Sequence, residues 1–220
     1  MKNVVLINGS PKSKKSCSKY LLDTVKKSIS DGNALKEINI TDKAIRNEDK
    51  YDIVLNSDII LLAFPLYVDS LPSTVIKFLE ELEIYAKNFI IDKKIVLYGI
   101  VNCGFFEGEQ NKYALKVLRN YTNHIVNLEY GGGVGIGGGG FLGGSEKIPW
   151  EAKIKSNVKK SLDRLSESIN YGDRLDVDIF SNINMSKRLY SIAGSFGWIA
   201  SGAKNKIYIK GLFNKPYSNN

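Results

Sequence analysis

Gly9-Ser10-Pro11-Lys12-Ser13-Lys14-Lys15-Ser16-Cys17-Ser18 joins the apolar run Val4 to Ile7, closed by Asn8, to an amphipathic stretch that begins at Ser16. The run is short, continuous and rich in β-branched residues, the pattern of a strand buried on both faces of a parallel sheet. After the loop, Cys17, Leu21, Val25 and Ile29 recur every fourth residue, joined by Leu22, and the pattern stops at Asp31-Gly32. That periodicity predicts a helix with a glycine-type terminator. The loop therefore links a strand end to a helix start. The first amides of a helix lack partners inside it and lie at the positive end of its dipole, so a hydroxyl-rich loop at that point suits a phosphate. Ser10, Ser16 and Ser18 would add hydroxyls to those amides. The same serines also suit plain turn and N-cap duty, and the loop alone does not separate the two readings.

Size and composition narrow the classes. With 220 residues, 43% of them hydrophobic, the chain can bury one substantial core, with a small appendage. The net charge of +8 is carried by lysines spread along the sequence rather than by one tract. That favours anionic ligands in general and does not favour nucleic acid. Cys17 and Cys103 are far apart and form no C-x-x-C, so neither a disulfide scaffold nor a zinc or iron–sulfur site is indicated, and a reducing cytoplasm is expected. No apolar run reaches membrane-spanning length and no signal-peptide pattern opens the chain, so the expectation is a soluble protein.

Outward from the first loop, strand and helix patterns alternate. Ala34 to Ile40 is a more polar strand that belongs near an edge, and a short helix is expected before Asn56. Ile59 to Phe64 is the clearest strand; Pro65 starts its loop, and Pro72 sits where a first helical turn accepts proline, with Val75, Leu79 and Leu82 continuing a stripe toward about Phe89. Ile95 to Val101 is the next strand, closed by Asn102-Cys103-Gly104. A helix follows over about Glu109 to Thr122, then a strand over Ile125 to Tyr130. The glycine-rich tract Gly131 to Gly144 reads as a flexible loop or as backbone pressed close to something, the loop being favoured. Ile154, Val158, Leu162, Leu165 and Ile169 mark a further helix. Alternation of this kind predicts an α/β three-layer sandwich with a five-stranded parallel sheet. In such sheets ligands bind beyond the carboxyl ends of the strands. The loops after Asn8, Phe64 and Val101 share that rim, which favours the phosphate reading of the first.

Two rival motifs fail. Lys15-Ser16 fall where G-x-x-x-x-G-K-[ST] wants them, but Lys14 replaces the second glycine and the strand Ile59 to Phe64 brings no Asp for magnesium. Gly133, Gly135 and Gly138 match G-x-G-x-x-G only inside a stretch so rich in glycine that a match is nearly guaranteed, and no helix pattern follows directly.

Gly9-Ser10-Pro11-Lys12 with Ser16 and Ser18, the segment Phe64-Pro65-Leu66-Tyr67-Val68-Asp69-Ser70-Leu71-Pro72, and Asn102-Cys103-Gly104-Phe105 together resemble the NAD(P)H-dependent FMN reductase family of flavodoxin-like proteins. Order and spacing agree over about residues 1–171. The resemblance implies a flavodoxin-like domain holding FMN, usually in a homodimer, with NAD(P)H as co-substrate. It further implies that Ser10, Ser16, Cys17 and Ser18 bind the FMN phosphate with Lys12 close by. Pro65, Leu66, Tyr67 and Val68 would border the isoalloxazine, and Asn102, Cys103, Gly104 and Phe105 would flank it. The sequence departs at Cys17, where many relatives carry Asn, which leaves an amide contact there. Such a site needs no amino-acid nucleophile, because hydride passes from nicotinamide to flavin and on to a small acceptor; the protein supplies orientation and access.

Plainer roles stand beside these. Tyr67 also suits a capping aromatic, Cys103 suits a small buried residue better than a reactive thiol, and His124 suits a charge at a helix end. Of Lys12, Lys14 and Lys15, one is expected to matter electrostatically. From residue 172 to 220 the resemblance fades into a C-terminal extension. Its Met185, Leu189, Ile192, Phe196 and Ile199 form an apolar seam flanked by Lys187, Arg188, Lys204 and Lys206. Contact with the chain's own core or with a second subunit is expected over a membrane surface. The sequence thus predicts a cytoplasmic FMN-dependent NAD(P)H oxidoreductase. The alternatives are an FMN-holding electron carrier reduced by a protein partner and a non-catalytic anion-binding module.

Overall fold

A computed structural model describes residues 1–12 and 15–214 and divides the chain into two compact units, Met1–Asn184 and a second that begins at Met185. In the first unit the strands are β1 (Asn3–Asn8), β2 (Ala34–Asn39), β3 (Ile59–Pro65), β4 (Ile95–Asn102), β5 (Leu128–Ile136) and β6 (Ile179–Ser181). They form one parallel sheet in the order β2-β1-β3-β4-β5-β6. Its first five strands have the flavodoxin-like order, which reverses direction between β1 and β3. The helices are α1 (Cys17–Lys26), α2 (Asn47–Leu55), α3 (Ser73–Ala86), α4 (Lys112–Tyr121), the single turn α5 (Gly139–Leu142) and α6 (Ser156–Tyr171).

Strand order follows from side-chain content. Val4 to Ile7, Ile59 to Phe64 and Ile100 and Val101 are buried, so β1, β3 and β4 are central with helices on both faces. Each fully buried aliphatic side chain contributes roughly 1.5–3 kcal/mol. In β2, by contrast, Ile38 is buried while Ala34 to Glu37 are exposed, and the strand lies at the edge, as its polarity predicts. Helix α1 is capped by Ser16, whose side chain accepts from the Lys19 N–H at 3.2 Å, and it buries Ser18, Leu21, Leu22 and Val25. Pro72 is the N-cap of α3.

Three expectations change. The sheet has six strands instead of five, because Ile179–Ser181 pairs with β5; a three-residue strand is too short to show a hydrophobic period. It lies in the stretch 172–184, which the sequence reading placed in the extension. The expected strand Ile125 to Tyr130 starts at Leu128 and runs into the glycine tract as far as Ile136. The first part of the tract, Gly131 to Ile136, is therefore buried strand rather than flexible loop, and Gly139–Leu142 is the helical turn α5. A bulge at Gly131 shifts the β4/β5 register between Leu97 and Tyr98, and the next residue, Gly132, has φ of 116°, a conformation that side-chain-bearing residues rarely adopt. Beyond it the backbone presses on its neighbours: a Cβ on Gly133 would lie 2.4 Å from Leu115 Cδ2 and one on Gly137 2.0 Å from the Phe106 carbonyl oxygen.

The second unit holds α7 (Lys187–Lys204) and α8 (Ile209–Leu212). Ser186 caps α7 by accepting from the Leu189 N–H, and Ile207 N–H donates back to Gly202 O at 2.9 Å. Among the described residues no helix is long and apolar enough to cross a membrane.

Candidate functional site

The carboxyl ends of β1, β3 and β4 and the amino end of α1 enclose a cleft of about 420 Å³. Ser10, Lys12, Ser16, Cys17, Ser18, Pro65, Tyr67 and Asn102 line it, which brings together residues from all three loops singled out in the sequence. A larger depression of about 700 Å³ lies at the other end of α1, around Lys26, Ser30 and Leu35, and no strand's carboxyl end opens into it.

The first loop is held by its own polar groups. Gly9 N–H donates to Ala63 O at 2.8 Å, tying the loop to β3, and Ser10 N–H donates to Asn8 Oδ1 at 3.1 Å. Lys12 N–H in turn donates to Ser10 Oγ at 3.3 Å. Ser18, buried in the first turn of α1, donates its hydroxyl to Asn102 Oδ1 at 2.7 Å, so the helix start is fixed to the end of β4. Within that turn the backbone N–H groups of Cys17 and Ser18 have no upstream helical carbonyl to bond, and the helix dipole places partial positive charge there. Lys12 and Lys15 add full charges, and no carboxylate is among the described lining residues. Lys14, the third lysine of which one was expected to matter, lies outside the described residues.

The second loop forms a tight turn. Tyr67 and Ser70 exchange backbone hydrogen bonds of 2.9 and 3.0 Å around Val68 (φ 48°) and Asp69 (φ 58°). Leu66 N–H donates to Asn102 O at 2.8 Å, which aligns this turn with the end of β4. Leu66 is half-buried against the core, Tyr67 lines the cleft, and Val68 projects away from its own chain at 99% exposure. A β-branched residue in the left-handed region costs about 1–2 kcal/mol, with no packing to offset it here. Val68→Asn is expected to raise stability by roughly 1 kcal/mol in urea unfolding, since asparagine tolerates that conformation.

In the third loop Cys103 is buried, with its Sγ 3.5 Å from Asn111 Nδ2, while Gly104 and Phe105 are exposed on the rim. Leu66, Val68, Cys103, Gly104 and Phe105 thus stand beside or beneath the cleft rather than in its lining. Burial pushes the Cys17 thiol up to about 12, with Cys103 nearby adding to it, and burial raises Cys103 as well. Both are thiols rather than thiolates at neutral pH, so alkylation by iodoacetamide is expected to be more than about tenfold slower in the native protein than after unfolding. His124 is exposed at the end of α4, 3.5 Å from Glu83, away from the cleft.

Sequence reasoning missed one wall. Gly139, Gly140, Gly143 and Gly144 also line the cleft, and a Cβ on Gly143 would sit 3.4 Å from Cys17 Cβ. Gly139 N–H is bonded to Cys103 O at 2.8 Å, which anchors this wall to the third loop. Behind it, buried Lys155 donates to Tyr20 Oη, Ser145 O and Ile148 O, each at 2.7 Å, and lies against the stacked rings of Tyr20 and Trp150. Glycine density was the only local signal for the wall, and it does not distinguish mobility from close approach.

A flavodoxin-like sheet with a cationic, hydroxyl-lined cleft at its strand-order reversal defines the class of molecule as a flavodoxin-like α/β protein. Comparison with solved structures agrees on the fold. An NADH:FMN oxidoreductase in its apo form aligns over 80% of this chain and 92% of its own, with TM-score 0.58 and 16% identity. The NAD(P)H:quinone oxidoreductase from Methanothermobacter marburgensis aligns over 79% and 97%, with TM-score 0.54 and 12% identity. At such identities the likeness is one of fold. Neither a protein-family profile nor a curated protein sequence matches the chain.

Proposed function

We propose that this protein binds FMN in the cleft and oxidises NAD(P)H, passing the electrons to a small acceptor such as a flavin, a quinone, a nitro compound or a metal ion. The observation that carries the reading is the convergence of the α1 amino end, Ser10, Ser16, Lys12 and Lys15 on one cleft with no carboxylate among its described lining residues. Those donors fit a phosphate monoester, which needs several N–H and O–H groups and positive charge at close range. Tyr67 and Pro65 offer apolar surface beside the phosphate end, and Phe105 stands exposed on the same rim. When bound, FMN supplies the redox chemistry. The protein's share is to hold the phosphate at α1, to orient the ring with the turn at Tyr67 and the backbone after Asn102, and to leave one face open. The fold shared with an NADH:FMN oxidoreductase and an NAD(P)H:quinone oxidoreductase supports this reading, as does the motif resemblance.

FMN against riboflavin tests the site directly. The two differ by the phosphate, so FMN is expected to bind at least about a hundredfold more tightly, given several charge-assisted hydrogen bonds of about 1.5–3 kcal/mol apiece. Equal binding of the two, or none, would remove the phosphate assignment.

A further inference from the structure

The seam Leu189, Ile192, Phe196 and Ile199 recurs at steps of three and four along α7 and therefore occupies one face of the helix. No residue of α7 is buried, and Phe196 is 66% exposed, so the second unit does not itself cover this face. Charge bears on what covers the face. Between residues 185 and 220 lie six of the chain's 31 lysines and arginines and none of its 23 acidic residues, so this short region carries six of the net eight positive charges. Lys187 and Arg188 stand at one end of the seam; Lys204, Lys206 and Lys210 stand at the other. A second copy would bring a like-charged seam to this one, or a first unit whose net charge is also positive. Neither offers complementary charge.

We propose that the second unit docks on an anionic phospholipid bilayer, with α7 lying in the plane of the interface. Apolar side chains on one face with lysines at both ends match the two requirements for such binding, insertion into the acyl boundary and attraction to acidic headgroups. The absence of any spanning helix among the described residues makes the association peripheral. Gly194 and Gly197 have no heavy atom within 4 Å of an added Cβ, so α7 draws little stability from its neighbours at those positions and gains order from a surface that covers it.

Flotation of the full-length protein with vesicles tests this, using phosphatidylcholine alone against phosphatidylcholine mixed with phosphatidylserine. Binding to the anionic vesicles is expected to be at least about tenfold tighter and to weaken at high salt. Phe196→Ser, and separately Lys204→Glu with Lys206→Glu, are each expected to weaken it about tenfold or more, while the thermal midpoint of the first unit stays unchanged. Equal binding to both vesicle types, or binding indifferent to these substitutions, overturns the proposal. So does a dimer that ignores vesicles and dissociates on Phe196→Ser, which would assign the face to a second copy.

Discussion

Gly137→Ala is expected to destabilise the first unit by at least about 3 kcal/mol, read as a lower urea midpoint, because the new methyl meets backbone on more than one side. Its Cβ would stand 2.0 Å from the Phe106 carbonyl oxygen and 2.7 Å from Gly108 N, and neither is a side chain that can swing away. Gly137 cannot simply retreat, since its own N–H is bonded to Ser181 O at 2.9 Å at the end of β6. Relief would have to come from the whole connection after β4, which also carries Cys103 to Phe105. Gly194→Ala is the internal comparison. With nothing within 4 Å of its added Cβ and a helical backbone on both sides, it is expected to stabilise α7 by roughly 0.5–1 kcal/mol. Opposite signs from the same substitution would show that the glycine tract is closely packed backbone rather than flexible loop. If Gly137→Ala is neutral, the tract has room that the structure does not contain.

The second large effect is electrostatic. Lys12→Glu together with Lys15→Glu is expected to weaken FMN binding by about a hundredfold or more at low salt and by less at high salt, with little change in melting temperature. Both lysines are exposed at the cleft, so reversing their charge costs little in packing. The substitution puts two negative charges beside a dianionic phosphate. Titration of FMN fluorescence quenching measures the change. Unchanged affinity would leave the phosphate to the serines and amides of α1 alone.

Much of this architecture was legible in the sequence because the central strands need continuous apolar runs and the helices need an apolar stripe. Val4 to Ile7, Ile59 to Phe64 and Ile95 to Val101 became β1, β3 and β4 within a residue or two at each end. The three loops were legible as a group for the same reason, since parallel strands place all their carboxyl ends on one rim. Where the sequence misled, side chains carried no signal. Residues 131 to 135, four glycines and Val134, show no alternation, so a buried strand resembled a loop; its need for glycine comes from Tyr98, Leu115 and Leu175 pressing on it. Helix α4 begins at Lys112 rather than near Glu109 because residues Gly108–Asn111 form a 3₁₀ turn first. The support behind the glycine wall, Lys155 with Tyr20 and Trp150, joins residues far apart in sequence, and no local pattern marks such a contact. The seam at Leu189 to Ile199 was legible as one apolar face, because its spacing of three and four is the period of a helix.

The central claim is that this cleft holds a flavin that a nicotinamide can reduce. An absorption spectrum of the protein supplied with FMN, followed under anaerobic conditions by NADPH and then NADH, tests it most directly. The account predicts a protein-bound flavin spectrum that bleaches rapidly with at least one nicotinamide. A bound flavin that resists both would mark an electron carrier reduced by a protein partner, and a protein that takes up no FMN would contradict the assignment of the cleft itself.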